Sequence, residues 1–260
     1  MGRIRAAEIF LFCAALAFGH DTAGVWAIDG TTLARRVYDR NVGNDAVADA
    51  EMTLVNRSGH QVVRKFRVLT KTDGPVRKTL IRFLSPADIE GTGFLVMERE
   101  GAETEQFLFL PALRRGRRIV SSQKARSFVN SDFTYEDMER RPVESFEHTL
   151  VGEEVLDTVP CWVVDATPKA GTASQYGRIR SWVAKDMDVP LRIHYFDPKG
   201  KHIKTYQVQS LEKIEGIWTE TALSMHHLTD DHRTVIRILS MDYDTGLDDS
   251  AFSVRALETW

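Results

Sequence analysis

The chain has 260 residues, 43% hydrophobic and 27% charged, which excludes a disordered polymer and a small disulfide-stapled scaffold. Lys and Arg total 34 against 37 Asp and Glu, and the formal charge of -3 excludes a general attraction to nucleic acid or acidic membranes. Any such attraction must be local.

Arg3 and Arg5 precede an apolar run from Ile9 to Phe18, and the chain then turns polar at Gly19, His20, Asp21 and Thr22. This is the order of a secretory signal, and the run is too short to span a bilayer. Val25-Trp26-Ala27 places small or branched residues before a cut, so residues 1–27 are expected to leave and residues 28–260 to form one domain. Cutting after Ala17 or Gly19 is the alternative. Phe10, Leu11 and Phe12 stand where a lipobox needs small residues, so Cys13 is expected to leave with the signal. Cys161 then remains alone, an intramolecular disulfide cannot form, and the fold must hold by packing. An exported chain of this kind belongs in an extracytoplasmic space, a bacterial periplasm.

Asp29 or Thr31 can cap a short helix on which Leu33 and Val37, and Ala34 and Tyr38, form one apolar face. Beyond it the period changes to two. Met52 and Leu54, then Val62, Phe66 and Val68, flank the turn Asn56-Arg57-Ser58-Gly59 and predict a hairpin. The sequon within that turn is assigned to the turn itself. Strands are expected over 79–84, 92–98, 105–110, 162–166, 178–183, 191–196, 203–208, 217–228 and 233–241, punctuated by Gly, Pro and Asp. This gives about ten or eleven antiparallel strands, and a sheet of that size must curl or close. The segment 121–147 interrupts the meander. A helix start at Ser131, ahead of Phe133, Tyr135 and Met138, makes it a lid or crossing element.

No Walker loop, H-E-x-x-H, C-x-x-C or G-x-S-x-G is present, and no cofactor is called for. His226, His227, Asp230, Asp231 and His232 cluster about a turn and would be the centre of a metal-dependent hydrolase. On a hairpin the adjacent His226 and His227 face opposite sides, so a polar hairpin tip is the plainer reading. Arg114, Arg115, Arg117, Arg118, Lys124 and Arg126 lie together, and the acids Asp132, Glu136, Asp137 and Glu139 follow. They form either a solvated tip paired with those acids or a docking patch for an acidic partner or lipid headgroups.

The stretch from Leu80 to Leu95, LIRFLSPADIEGTGFL, is followed by Phe109-Leu110-Pro111-Ala112-Leu113-Arg114-Arg115 and then by Ser131-Asp132-Phe133-Thr134-Tyr135-Glu136-Asp137. In this order the three motifs resemble the LolA-like outer-membrane lipoprotein-sorting family, specifically its longer branch associated with RND-type exporters. The resemblance runs from about Thr31 to Leu257. It implies a mainly β fold, a strongly curved antiparallel sheet forming an incomplete barrel covered by short helices around a cavity. It further implies a non-catalytic carrier of a lipid, a lipidated protein or another hydrophobic cargo, with an inner-membrane exporter and an outer-membrane acceptor as partners and no nucleic acid. Phe94, Val96, Phe107, Phe109, Leu223, Met225, Ile236 and Ile238 are the candidate cavity wall, from apolar strand faces. Phe133, Tyr135 and Met138 are the candidate lid, and Arg114, Arg115, Arg117 and Arg118 the candidate docking surface. The competing reading is a non-catalytic adaptor that docks on an exporter and holds no small molecule.

Overall fold

The computed structural model describes residues 28–259. The expected export signal over 1–27, with Cys13, lies outside the described residues. Helix α1 spans Gly30–Tyr38. Its cap is Asp29, whose carboxylate accepts from the Thr31 and Thr32 backbone N–H groups at 2.9 Å each. Gly30 is required here by close approach, because a Cβ would lie 2.6 Å from the His148 backbone oxygen.

The strands are β1 Asp45–Val55, β2 Gln61–Asp73, β3 Val76–Ser85, β4 Gly93–Arg99, β5 Glu105–Leu110, β6 Arg115–Arg118, β7 Phe146–Leu156, β8 Val159–Pro168, β9 Arg178–Ala184, β10 Pro190–Phe196, β11 His202–Ile214, β12 Ile217–His227 and β13 His232–Tyr243. They form one 13-stranded sheet in the order β6-β5-β4-β3-β2-β1-β13-β12-β11-β10-β9-β8-β7. Every ladder is antiparallel, and two meanders meet where β1 pairs with β13, from Ala46 opposite Tyr243 to Val55 opposite Arg233. Flat, twelve strand spacings would extend about 57 Å. Instead the sheet curls, since one apolar cluster joins Phe94 on β4 with Ile179 on β9. β6 and β7 do not pair with each other, so the barrel stays open.

Two strands exceed the sequence expectation of ten or eleven. β6 is Arg115-Gly116-Arg117-Arg118 and carries no apolar residue to alternate. In β7 the period of two is broken by a register shift between Leu150 and Gly152. Both are edge strands, where apolar patterning is least needed.

Residues 119–145 run from one edge strand to the other across the concave face. The helix expected from Ser131 is absent. Short 3-10 turns occur instead at Ser121–Gln123, Glu136–Met138 and Val143–Ser145. Between them the chain doubles back: the Phe128 N–H donates to the Phe133 carbonyl at 2.7 Å, and Tyr135 N–H to Arg126 at 3.1 Å. Val129 and Asn130 form the tip with positive φ, 46° and 61°. This loop inserts Phe128, Phe133 and Tyr135 into the concave face. Phe128 packs with its ring tilted against Phe94 at 4.9 Å and Phe83 at 6.1 Å. Burial of a ring this deep stabilises by about 2–3 kcal/mol.

The convex face has its own cover. Helix α2, Val254–Thr259, lays Leu257 over Leu80, Leu95 and Phe109. Arg82 holds it there, donating to the Leu257 carbonyl at 2.6 Å and to the Gly91 carbonyl at 2.8 Å. Desolvation pulls this guanidinium down to about 10, which still leaves it charged at neutral pH. Cys161 is buried in a second convex cluster with Val163, Trp182 and Leu191, and burial pushes its thiol up.

Candidate functional site: a cavity beneath the crossing segment

A cavity of about 350 Å³ lies between α1, the 3-10 turn of the crossing segment and the concave face of β8 to β12. Its apolar wall comes from Ala34 and Val37 on α1, Val42, Val143, Val164, Ala166, Ile179, Val183, Ile193 and Phe133. These positions follow from strand parity. On β9, Ile179 and Val183 point inward while Trp182 and Ala184 join the convex cluster.

The remaining wall is ionic. Arg40, Arg77, Asp137, Glu139, Arg140, Arg141 and Glu220 all border the cavity, as do Tyr195 and Tyr206. Each carboxylate has a cation: Glu220 meets Arg40 at 3.1 Å, Glu139 meets Lys124 at 3.0 Å, and Asp137 meets Lys204 at 2.5 Å. Arg140 meets Glu98 at 3.4 Å and stacks over the Tyr38 ring at 4.3 Å. Among the described residues, Arg77 and Arg141 form no ion pair with a carboxylate, although Glu98 and Glu220 act on Arg77, and Asp137 on Arg141, from farther away. Burial pushes the Glu139 carboxyl up, against the pull of Lys124. It likewise pushes Tyr195 up to about 12 and Tyr206 well above the usual phenol range, so both stay protonated.

The Asp137–Lys204 pair fixes the crossing segment to the sheet. Both side chains are almost fully buried, at 1% and 2% exposed. Asp137 also accepts from the Tyr176 hydroxyl at 2.8 Å and from the Thr134 N–H and hydroxyl at 2.8 and 2.9 Å. Nearby, Asp132 accepts from Thr234 Oγ1 at 2.7 Å and lies 2.8 Å from His232 Nδ1, while Glu136 accepts from Ser174 and from the Gln175 N–H. The Ser131-to-Asp137 motif therefore alternates anchors. Asp132 and Asp137 bind strands β13 and β11, Glu136 binds the loop between β8 and β9, and Phe133 and Tyr135 enter the apolar cluster.

Of the candidate wall residues, Phe94, Val96, Leu223, Met225, Ile236 and Ile238 do occupy the concave cluster. They pack against the crossing segment's aromatics and do not border the cavity. Phe107 and Phe109 require correction. On β5 the inward residues are Gln106 and Leu108, and the two phenylalanines face the opposite way, beneath α2. Of the candidate lid, Phe133 borders the cavity, whereas Tyr135 and Met138 lie in the apolar cluster. Phe128 lies outside the three sequence motifs, and no strand or helix period marks it. The cavity arginines had one readable signal: Arg77 stands at the inward parity of β3, with Thr79, Ile81 and Phe83.

Arg114, Arg115, Arg117 and Arg118 are exposed on the β6 edge and the residue before it. The histidines at the other hairpin take separate carboxylates: His226 with Asp231 at 3.2 Å, His227 with Asp230 at 3.1 Å, and His232 with Asp132 at 2.8 Å. Among the described residues no three His, Cys, Asp or Glu side chains are grouped to hold a metal, and no helix is long and apolar enough to cross a membrane.

Comparison with known proteins gives this geometry a family. A family model described as an uncharacterized protein matches residues 76–259. No curated protein is significantly similar. A DUF1329 family protein from Desulfovibrio piger is 35% identical, covers 88% of this chain and 97% of its own, and superposes with a TM-score of 0.83. A protein from Vibrio parahaemolyticus described as an outer membrane lipoprotein-sorting protein domain is 27% identical over 88% of this chain and 98% of its own, also at 0.83. A LolA superfamily protein from Nitrosomonas europaea shares the fold at 16% identity and a TM-score of 0.68, over 87% of this chain and 98% of its own. The curved open sheet, the crossing segment and these similarities together show that the chain belongs to the DUF1329 family, with the LolA-like fold.

Proposed function

We propose that residues 28–260 act as a periplasmic carrier, which binds a lipid, a lipidated protein or another hydrophobic molecule in the cavity for transfer between membranes. The observation that carries this is the hollow itself: about 350 Å³ with a continuous stretch of wall made of Val, Ile, Ala and Phe, in a sheet too curved to fill its own interior. Removing an acyl chain from water gains about 0.8 kcal/mol per methylene, so a molecule crossing an aqueous space needs such an enclosure. The sorting function named for the Vibrio protein supports the same reading and an extracytoplasmic location. The exposed Arg114, Arg115, Arg117 and Arg118 would meet the exporter or the acceptor.

The test is detergent-free purification from the periplasm, native mass spectrometry and organic extraction. A hydrophobic molecule at defined stoichiometry supports the carrier. A clean apo mass, unchanged after incubation with membrane extracts, refutes it and favours the exporter-docking adaptor, for which the exposed basic edge is the supporting observation.

A further inference from the structure

The cavity is not uniformly apolar, and its charges do not cancel. Every carboxylate that borders it is already matched by Arg40, Lys124 or Lys204, and Arg140 is matched by Glu98. Two guanidinium groups remain. Arg77 makes no hydrogen bond or ion pair with any described residue although it stands at an inward position of β3. Arg141 uses one N–H, from a terminal nitrogen to the Tyr195 hydroxyl at 3.2 Å, and its buried Nε has no partner at all. A guanidinium carries five donors, and Arg141 Nε, buried and left unmatched, costs about 1–3 kcal/mol, while half-buried Arg77 turns its free donors to the cavity. A carrier of wholly neutral cargo has no use for that cost. An apolar chamber with two unmatched cations suits a molecule with an apolar body and an anionic end.

Resting on the carrier reading above, we propose that the cavity binds a single-chain amphiphile with an anionic head, a carboxylate or a phosphate monoester. In this arrangement the chain lies along Val37, Val164, Ile179, Val183 and Ile193, and the head is met by Arg77 and Arg141. The volume sets the chain number. About 350 Å³ is near the lower end of small-molecule sites and matches one chain. Arg suits this task over Lys because its planar fork engages carboxylate and phosphate oxygens in pairs.

The test is calorimetric titration of the delipidated protein with laurate, dodecyl phosphate and dodecanol, each below its aggregation limit at pH 7.5. Laurate or dodecyl phosphate, or both, should bind at least tenfold more tightly than dodecanol, the effect of one charge-assisted hydrogen bond. Arg77→Gln and Arg141→Gln should each erode that preference, and the double variant should bind the acids no better than the alcohol. Arg77→Lys should retain part of it. Acetate or inorganic phosphate at millimolar concentration should leave laurate bound; displacement by either would reveal a simple anion site and overturn the amphiphile. Equal affinity of the wild-type protein for laurate, dodecyl phosphate and dodecanol would overturn the head-group assignment while leaving the carrier intact. That comparison needs no variant to fold. Failure of all three to bind would overturn the single-chain amphiphile, whereas the carrier reading itself falls only on the clean apo mass of the extraction experiment.

Discussion

The crossing segment is held by a buried ion pair, and breaking that pair one side at a time should cost much more than removing both charges. Lys204→Met leaves the Asp137 carboxylate inside the protein with only neutral donors, Tyr176 and Thr134. Asp137→Asn removes the counter-charge of the Lys204 ammonium and leaves it neutral acceptors only, the new amide oxygen and the Asp132 carbonyl at 3.3 Å. Each single change strands a charge where burial forbids hydration, a loss of about 3–5 kcal/mol, or about 6–20 °C in a domain of this size. The double variant buries no charge and keeps an amide oxygen for Tyr176 or Thr134. Its loss should be about 1–2 kcal/mol, so the cycle gives a coupling energy of several kcal/mol. Equilibrium urea unfolding of the four proteins measures it, and hydrogen exchange over residues 119–145 locates it, since the single variants should open that segment first. A double variant whose loss equals the sum of the singles would refute the claim that this pair pins the segment.

Three further outcomes are expected. His194 is pulled down to about 4 by burial first and then by His202 stacked at 4.2 Å, and burial also lowers His148 and His202. In the unfolded chain these imidazoles protonate near pH 6.5 while the folded ones do not, so stability should fall as pH drops from about 6.5 towards 4. His194→Gln should flatten that fall, and an unchanged slope in a pH series of unfolding midpoints would contradict it. Gly30→Ala forces a Cβ against the backbone of β7 and should cost about 1–3 kcal/mol, read by thermal unfolding; a neutral result would mean that α1 shifts freely away from the sheet. Reversal of Arg115 and Arg117 to Glu should leave the unfolding midpoint within about 0.5 kcal/mol, because both are exposed, and should abolish association with exporter-containing membranes in a salt-sensitive flotation assay. Retained association would remove the docking role from this edge.

Most of the sheet was legible because its strands alternate. Met52 and Leu54 face inward on β1, and the Asn56-to-Gly59 turn does join β1 to β2. Failure concentrated at the edges. Arg115-Gly116-Arg117-Arg118 pairs only with β5, needs no apolar contact, and is a strand solely because its backbone completes a ladder. The crossing segment was identified by its interruption of the pattern, but its conformation was not. Ser131 imitates a helix cap, whereas its hydroxyl donates back to the Phe128 carbonyl at 2.7 Å and closes a turn. The same local chemistry serves either outcome, and only the neighbouring sheet decides between them.

The position of the cavity follows from how the crossing segment spends its side chains. Near β2, β3 and β4 it contributes Phe128 and Tyr135, which meet Phe83 and Phe94 and fill the curved interior. Beyond Tyr135 the segment supplies Asp137, Glu139, Arg140 and Arg141 in place of aromatic rings, and these cannot fill an apolar hollow. Space is therefore left against β8, β9 and β10. The candidate wall of Phe94, Leu223 and Ile236 located the concave face correctly but not the empty part of it, because strand alternation reports which way a side chain points and nothing about what is packed upon it. Parity also could not choose between Phe107 and Leu108, since both faces of β5 are covered, one by the crossing segment and one by α2. The informative signal in such a strand is the polar residue at an inward position. Gln106 on β5 faces inward and donates to the Tyr135 carbonyl at 2.8 Å, and Arg77 on β3 faces inward with no described partner. The first is consumed in holding the segment; the second is the group that the proposed anionic head would meet.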